Sequence, residues 1–149
     1  MNIINMTLLE FSLNLPCSAD KLFQKITDFE NFNHYIPNQL ESISVIKKEN
    51  NKITTKEKIK SVSILKNRFE QTSEHTVNEN ILKTEITSGP ATGTIIESFF
   101  QKIDSGTKVN IKINLNLGLK YKLFTPIVKK FYKQMLTGVL YRMNREIEK

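Results

Sequence analysis

The order of periodicities constrains this chain more than any single motif does. One strand comes first, then a short helical pair, then a long block of alternating strands, and one amphipathic helix closes the chain. Thr7 to Leu15 sets Leu9, Phe11, Leu13 and Leu15 on one face and Glu10, Ser12 and Asn14 on the other, the two-residue period of a half-buried strand. Pro16 ends it. From Cys17 to Pro37 the spacing becomes helical. Ser18 suits an N-cap and Asp20 the positive end of the helix dipole. Leu22, Phe23 and Ile26 share a face that Phe29, Phe32 and Ile36 carry into a second short helix, stopped by Pro37.

From Leu40 the strand period returns. Ile43 and Val45 lead to a turn at Glu49-Asn50-Asn51-Lys52. Ile53, Thr55, Glu57 and Ile59 then oppose Lys56, Lys58 and Lys60. Ser61 to Leu65 fits a bend or bulge. Arg68 to Thr76 alternates Phe69, Gln71, Ser73 and His75 against Arg68, Glu70, Thr72 and Glu74, and Asn78-Glu79-Asn80 reads as a hairpin turn. Leu82, Thr84 and Ile86 form the next row, and Gly89 to Gly93 breaks the sheet. Thr94 to Ile103 and Val109 to Leu117 flank the hairpin signal Asp104-Ser105-Gly106-Thr107. Six or seven antiparallel strands result. Gly118 to Thr125 is expected to be a linker. The final helix is expected from about Pro126 to Glu148, with Phe131, Met135, Val139 and Met143 on its apolar face and Lys129, Lys130 and Lys133 opposite. A curved sheet crossed by one long helix leaves a space between them, so a container for an apolar molecule is the first functional expectation.

At 149 residues the chain suits one domain, residues 1–149, with a real core. No apolar run is long enough to span a bilayer. Met1 to Met6 does not read as a secretory signal. Cys17 is the lone cysteine, which excludes an internal disulfide and fits a reducing cytoplasm. The net charge of +7 points either to an anionic partner or to a surface merely written with lysine; the lysines are dispersed, which favours the second.

Against this pattern the chain resembles a family. Its strand, paired short helices, antiparallel sheet and final helix resemble the helix-grip superfamily of START domains, polyketide cyclases and dehydrases, the birch pollen allergen and the plant abscisic-acid receptors. Ala19-Asp20-Lys21-Leu22-Phe23, followed by Thr27-Asp28-Phe29-Glu30-Asn31-Phe32 and Tyr35-Ile36-Pro37, is similar to the opening of coenzyme-Q-binding START-like proteins. Asp104 to Val109 resembles the penultimate hairpin of the superfamily. Many of the coenzyme-Q-binding proteins carry a tryptophan in the strand after the mid-sheet break. This chain has none, and Ile96 or Phe100 falls in that space. The resemblance implies an α+β helix-grip fold and a cavity between sheet and final helix.

Three classes of function follow. The first is non-enzymatic binding of a hydrophobic small molecule, an isoprenoid quinone or lipid, for transport or chaperoning. Its expected walls are Phe11, Leu13, Phe69, Gln71, Ile96, Phe100, Ile111, Ile113, Phe131, Met135 and Val139. The second is a small cyclase or dehydrase acting on a polyketide-like substrate. Glu57 and His75 are its candidates, because a carboxylate and an imidazole in an apolar cavity can move protons. The ordinary reading places both near strand ends, within reach of water. The third is a ribosome- or RNA-binding protein, which requires Lys56, Lys58, Lys60, Lys129, Lys130 and Lys133 to form one patch. No nucleophile elbow, phosphate-binding glycine loop or metal pair is present in the sequence, so neither cofactor nor metal is expected. His34 reads as a surface residue or a ligand contact at the cavity mouth, Tyr35 as a packed aromatic or a portal, and Cys17 as an inert buried thiol. Leu119, Tyr121, Leu123 and Phe124 read as loop packing, an apolar gate or a surface for an anionic membrane.

Overall fold

The computed structural model describes residues 6–60 and 68–149. Among these, seven strands form one curved, unclosed antiparallel sheet in the order β1-β7-β6-β5-β4-β3-β2. They are β1 (Met6–Leu15), β2 (Leu40–Glu49), β3 (Lys52–Ile59), β4 (Phe69–Asn78), β5 (Ile81–Ser88), β6 (Ile95–Ile103) and β7 (Gly106–Asn116). Between β1 and β2 lie α1 (Ala19–Ile26) and a 3-10 turn (Phe29–His34). After β7 come α2 (Gly118–Tyr121), a second 3-10 turn (Lys122–Phe124) and the long α3 (Thr125–Ile147). The α+β helix-grip architecture anticipated from the pattern is present. The expected bend at Ser61–Leu65 lies outside the described residues. One boundary expectation fails: the segment after β7 is not a linker but two short helical turns leading into α3. No helix among the described residues is long and apolar enough to cross a membrane.

Local chemistry explains the joints. Ser18 Oγ accepts from the Lys21 amide at 3.5 Å, and Asp20 occupies the first turn of α1. Asn50 and Asn80 hold positive φ at the β2–β3 and β4–β5 turns, a conformation asparagine tolerates. Gly106 sits at φ +140°, and a Cβ there would stand 2.1 Å from the Leu15 carbonyl oxygen, so only glycine lets the β6–β7 turn approach the end of β1. Register shifts in the β2–β3 pair and between Thr72 and Ser73 bend the sheet.

The concave face divides into a solid half and a hollow half. Leu15, Cys17 and Leu22 pack with Phe100, Val109, Ile111 and Ile113 against Val139, Leu140 and Met143 from the second half of α3. Cross-links hold this end: the Cys17 amide donates to Asn144 Oδ1 (3.0 Å) and Thr107 Oγ1 donates to the Cys17 carbonyl (2.7 Å). The first half of α3 instead stands over β3, β4 and β5 without filling the space beneath it.

Candidate functional site

That space is a cavity of about 220 Å³. The first half of α3 supplies one wall with Val128, Phe131, Tyr132, Met135 and Leu136. The helical pair supplies a second with Ile26, Phe29, Phe32 and Ile36. Strand rows provide the floor: Ile43, Ile59, Phe69, Leu82, Ile86 and Ile96. Alternation delivers these residues, since each strand turns every second side chain toward the helix. Ile127 lines the cavity and is half-exposed, so the mouth lies at the start of α3, beside Pro90, Ala91, Leu117 and Tyr121.

A short polar track crosses the apolar floor. Glu57 faces Gln71 across the β3–β4 pair and is 6% exposed. Thr55 Oγ1 lies 3.2 Å from Glu57 Oε1 and 2.8 Å from His75 Nε2, and His75 Nδ1 lies 2.7 Å from Thr84 Oγ1. The Phe29 ring stacks on the imidazole at 4.1 Å between centroids. Burial holds His75 down at about 4, so the ring is neutral and carries one N–H. The Thr55 hydroxyl gives its single proton to Glu57 Oε1. His75 Nε2–H then donates to Thr55, and Nδ1 accepts from Thr84. Glu57 Oε2 is the exception: among the described residues it is a buried side-chain oxygen with no partner. Burial pushes the Glu57 carboxyl up to about 7, partly offset by the nearby Ser73 and Thr55 hydroxyls and Gln71, of which only Thr55 reaches the carboxyl with hydrogen-bond geometry. Tyr132 is pushed up to about 12, by burial first and the Glu57 charge second.

Of the side chains expected to line the cavity, Phe69, Gln71, Ile96, Phe131 and Met135 do so. Phe11, Leu13, Phe100, Ile111, Ile113 and Val139 do not. They point inward as the alternation requires, but they sit in or against the solid half of the core, where α3 closes on β1, β6 and β7. Phe11 and Ile111 also border a shallow groove on the convex side, beside Glu10, Phe99 and Lys112. Glu57 and His75 do line the cavity; both are buried, and the expectation of water-reached strand ends is incorrect. Thr55, Thr84, Tyr132 and the wall of the helical pair were not assigned to the site from sequence. Their inward position in the alternation, or on the apolar helix face, was the available signal.

His34 is exposed and lies 3.2 Å from Glu146 Oε1, away from the cavity lining. Tyr35 is a buried, packed aromatic whose hydroxyl donates to Glu146 Oε2 at 2.5 Å. Arg142 donates to the Tyr35 carbonyl. With Lys25 at 3.2 Å, these contacts fasten the helical pair to the end of α3, and Tyr35, Lys25 and His34 hold the Glu146 carboxyl down at about 2, chiefly through the Tyr35 hydrogen bond. Cys17 is buried, and burial pushes its thiol up, away from the reactive thiolate. Lys56 and Lys58 alternate with cavity-lining Glu57 and so leave the convex face, where Lys56 pairs with Glu70 at 3.4 Å. Helix α3 lies on the concave side. The six lysines therefore do not form one patch. Phe99 is outward and half-exposed beside its cross-strand neighbour Ile81, whereas Ile96 and Phe100 face inward.

Solved structures share this architecture over nearly the whole chain. The Zhui aromatase/cyclase of Streptomyces sp. R1128 superposes with a TM-score of 0.79 at 11% identity, covering 95% of this chain and 96% of its own. A START superfamily protein of Mycobacterium smegmatis gives 0.75 at 14% identity, covering 95% and 97%. This is the helix-grip, START-like fold. A Thalictrum norcoclaurine synthase, solved with a transition-state analogue, has the same helix-grip fold with a TM-score of 0.75 at 10% identity, covering 97% of each chain. No family model and no curated protein sequence matches the chain.

Proposed function

We propose that the chain binds a hydrophobic small molecule, an isoprenoid quinone or lipid, in the cavity beneath the first half of α3, for transport or chaperoning without chemical change. The observation that carries this reading is the void itself. Close-packed interiors leave few spaces larger than a water molecule, and this one of about 220 Å³ has predominantly apolar walls and a mouth at Ile127. Apolar walls with a few placed polar groups are what small-molecule sites require. The test is binding of the hydrocarbon fluorophore diphenylhexatriene. The wild type should bind it and Met135→Trp, which fills the wall, should lose it while keeping its far-UV spectrum. Absence of binding by the folded wild type refutes the reading.

A second reading is a small cyclase or dehydrase. The Glu57–Thr55–His75 track supports it, because it brings both candidate groups into one enclosed space. The aromatase/cyclase and the synthase among the structural neighbours support it equally. Turnover of a polyketide-like substrate that disappears in Glu57→Gln would favour it over simple binding.

The partner face is proposed to be an anionic membrane, where an apolar ligand is collected or delivered. Leu119 is 79% and Leu123 92% exposed, next to Lys120 and Lys122 and beside the cavity mouth. Apolar insertion combined with lysine attraction to anionic lipid suits that surface. A cytoplasmic setting is retained on the strength of the lone buried Cys17.

A further inference from the structure

We propose that Glu57 is the polar anchor of the cavity, and that its Oε2 donates a hydrogen bond to the carbonyl oxygen of a neutral apolar ligand. This rests on the reading of the cavity as a ligand container and specifies the ligand's chemistry.

His75 is neutral and held between two threonine hydroxyls, so its ring nitrogens are both satisfied within the protein. Thr55 spends its one proton on Glu57 Oε1. With Oε1 kept as the acceptor of the Thr55 hydroxyl, the proton of the acid form falls on Oε2. This oxygen is buried and lacks a partner among the described residues, on a side chain that lines the cavity. A buried polar atom without a hydrogen bond destabilises the empty cavity, so an occupant that supplies the missing acceptor is favoured over a pure hydrocarbon. The cavity walls, among them Phe131, Met135, Ile43 and Phe69, demand that the rest of the occupant be apolar.

The acid form is present at neutral pH because burial has raised the carboxyl to about 7. The titratable groups that line the cavity with Glu57 from other elements are His75 on β4, Tyr121 on α2 and Tyr132 on α3. His75 stays neutral above about 4, and Tyr132 stays neutral to about 12, so neither contributes a charge near neutrality. The donor is thus switched off by one titration. If only the acid form binds a carbonyl ligand, apparent affinity scales with its fraction. It falls up to about 30-fold between about pH 6 and about pH 8.5 for a pKa of about 7.

The experiment compares two fluorophores on the intact chain: prodan, a neutral naphthyl ketone, and diphenylhexatriene, which has no acceptor. Prodan emission moves to the red when its carbonyl accepts a hydrogen bond. The expected result is tighter prodan binding in acid, with a pH response clearly larger than that of the hydrocarbon. Glu57→Gln, whose amide still donates, should bind prodan with a flat pH profile. Glu57→Leu should blue-shift bound prodan in acid and still bind the hydrocarbon. Matching pH profiles for the two probes, or unchanged prodan emission in Glu57→Leu, overturns the anchor and leaves the container standing. Failure of both probes to bind the wild type overturns both.

Discussion

Exchanging Glu57 for glutamine should change how stability depends on pH, in a direction set by two opposing buried groups. The Glu57 carboxyl titrates at 4.5 when unperturbed and at about 7 in the fold. Between those values the unfolded chain has released the proton and the folded chain keeps it, so stability falls as pH rises. At about 1.4 kcal/mol per pH unit the loss totals about 3 kcal/mol, complete once pH passes the folded value. His75 runs the other way. Its ordinary value is 6.5 and its folded value about 4. In that window the unfolded chain binds a proton that the fold refuses, so stability rises with pH by a similar amount. The two slopes nearly cancel between pH 4.5 and 6.5, and the wild type should be almost flat there with respect to this pair. Glu57→Gln removes the falling slope and leaves the rising one. The stability difference, variant minus wild type, should therefore grow by about 3 kcal/mol from pH 4.5 to 7 and then level off. Any constant offset from replacing an oxygen by an amide drops out of that growth. Urea unfolding followed by far-UV circular dichroism measures it; the chain has no tryptophan to report by fluorescence. A difference constant to within about 0.5 kcal/mol across the window would refute the account of Glu57 as a buried, under-bonded acid.

The division of the concave face predicts unequal costs for two phenylalanines. Phe100→Ala, in the solid half where the ring is fully buried, should destabilise by about 3–5 kcal/mol in urea unfolding. Phe131→Ala, which only enlarges an existing void, should cost about 1.5 kcal/mol or less and weaken diphenylhexatriene binding instead. Gly106→Ala, forced against the Leu15 carbonyl at φ +140°, should lower the unfolding midpoint by the equivalent of more than about 1 kcal/mol. Leu123→Asp should reduce co-sedimentation with phosphatidylserine vesicles, and raised salt should weaken the wild type's; equal binding to neutral and anionic vesicles would count against the membrane face.

The succession of strands along the chain and their facing were legible in the sequence because alternation is a local property: Phe69, Gln71, Ser73 and His75 share a face wherever the strand lies, and all four line the cavity. Turn chemistry at Asn50, Asn80 and Gly106 marked three of the hairpins, since positive φ restricts which residues serve there. What local pattern does not encode is the distance between α3 and the sheet. Val139 and Phe131 share one helix with the same apolar signal, yet the first is sealed in the core and the second walls a void. That outcome depends on how the sheet bends and on where Glu146 and Asn144 fasten the helix to the helical pair and to Cys17, contacts more than 100 residues apart in sequence. The Glu57–Thr55–His75 track is decided the same way. Thr55 and Glu57 are neighbours on one strand, but His75 reaches Thr55 only through the β3–β4 register, which sets Thr55 opposite Ser73 and Ile53 opposite His75. A slip of one residue would have turned the imidazole to solvent, and the cross-strand hydrogen bonds of the assembled sheet are what prevent it.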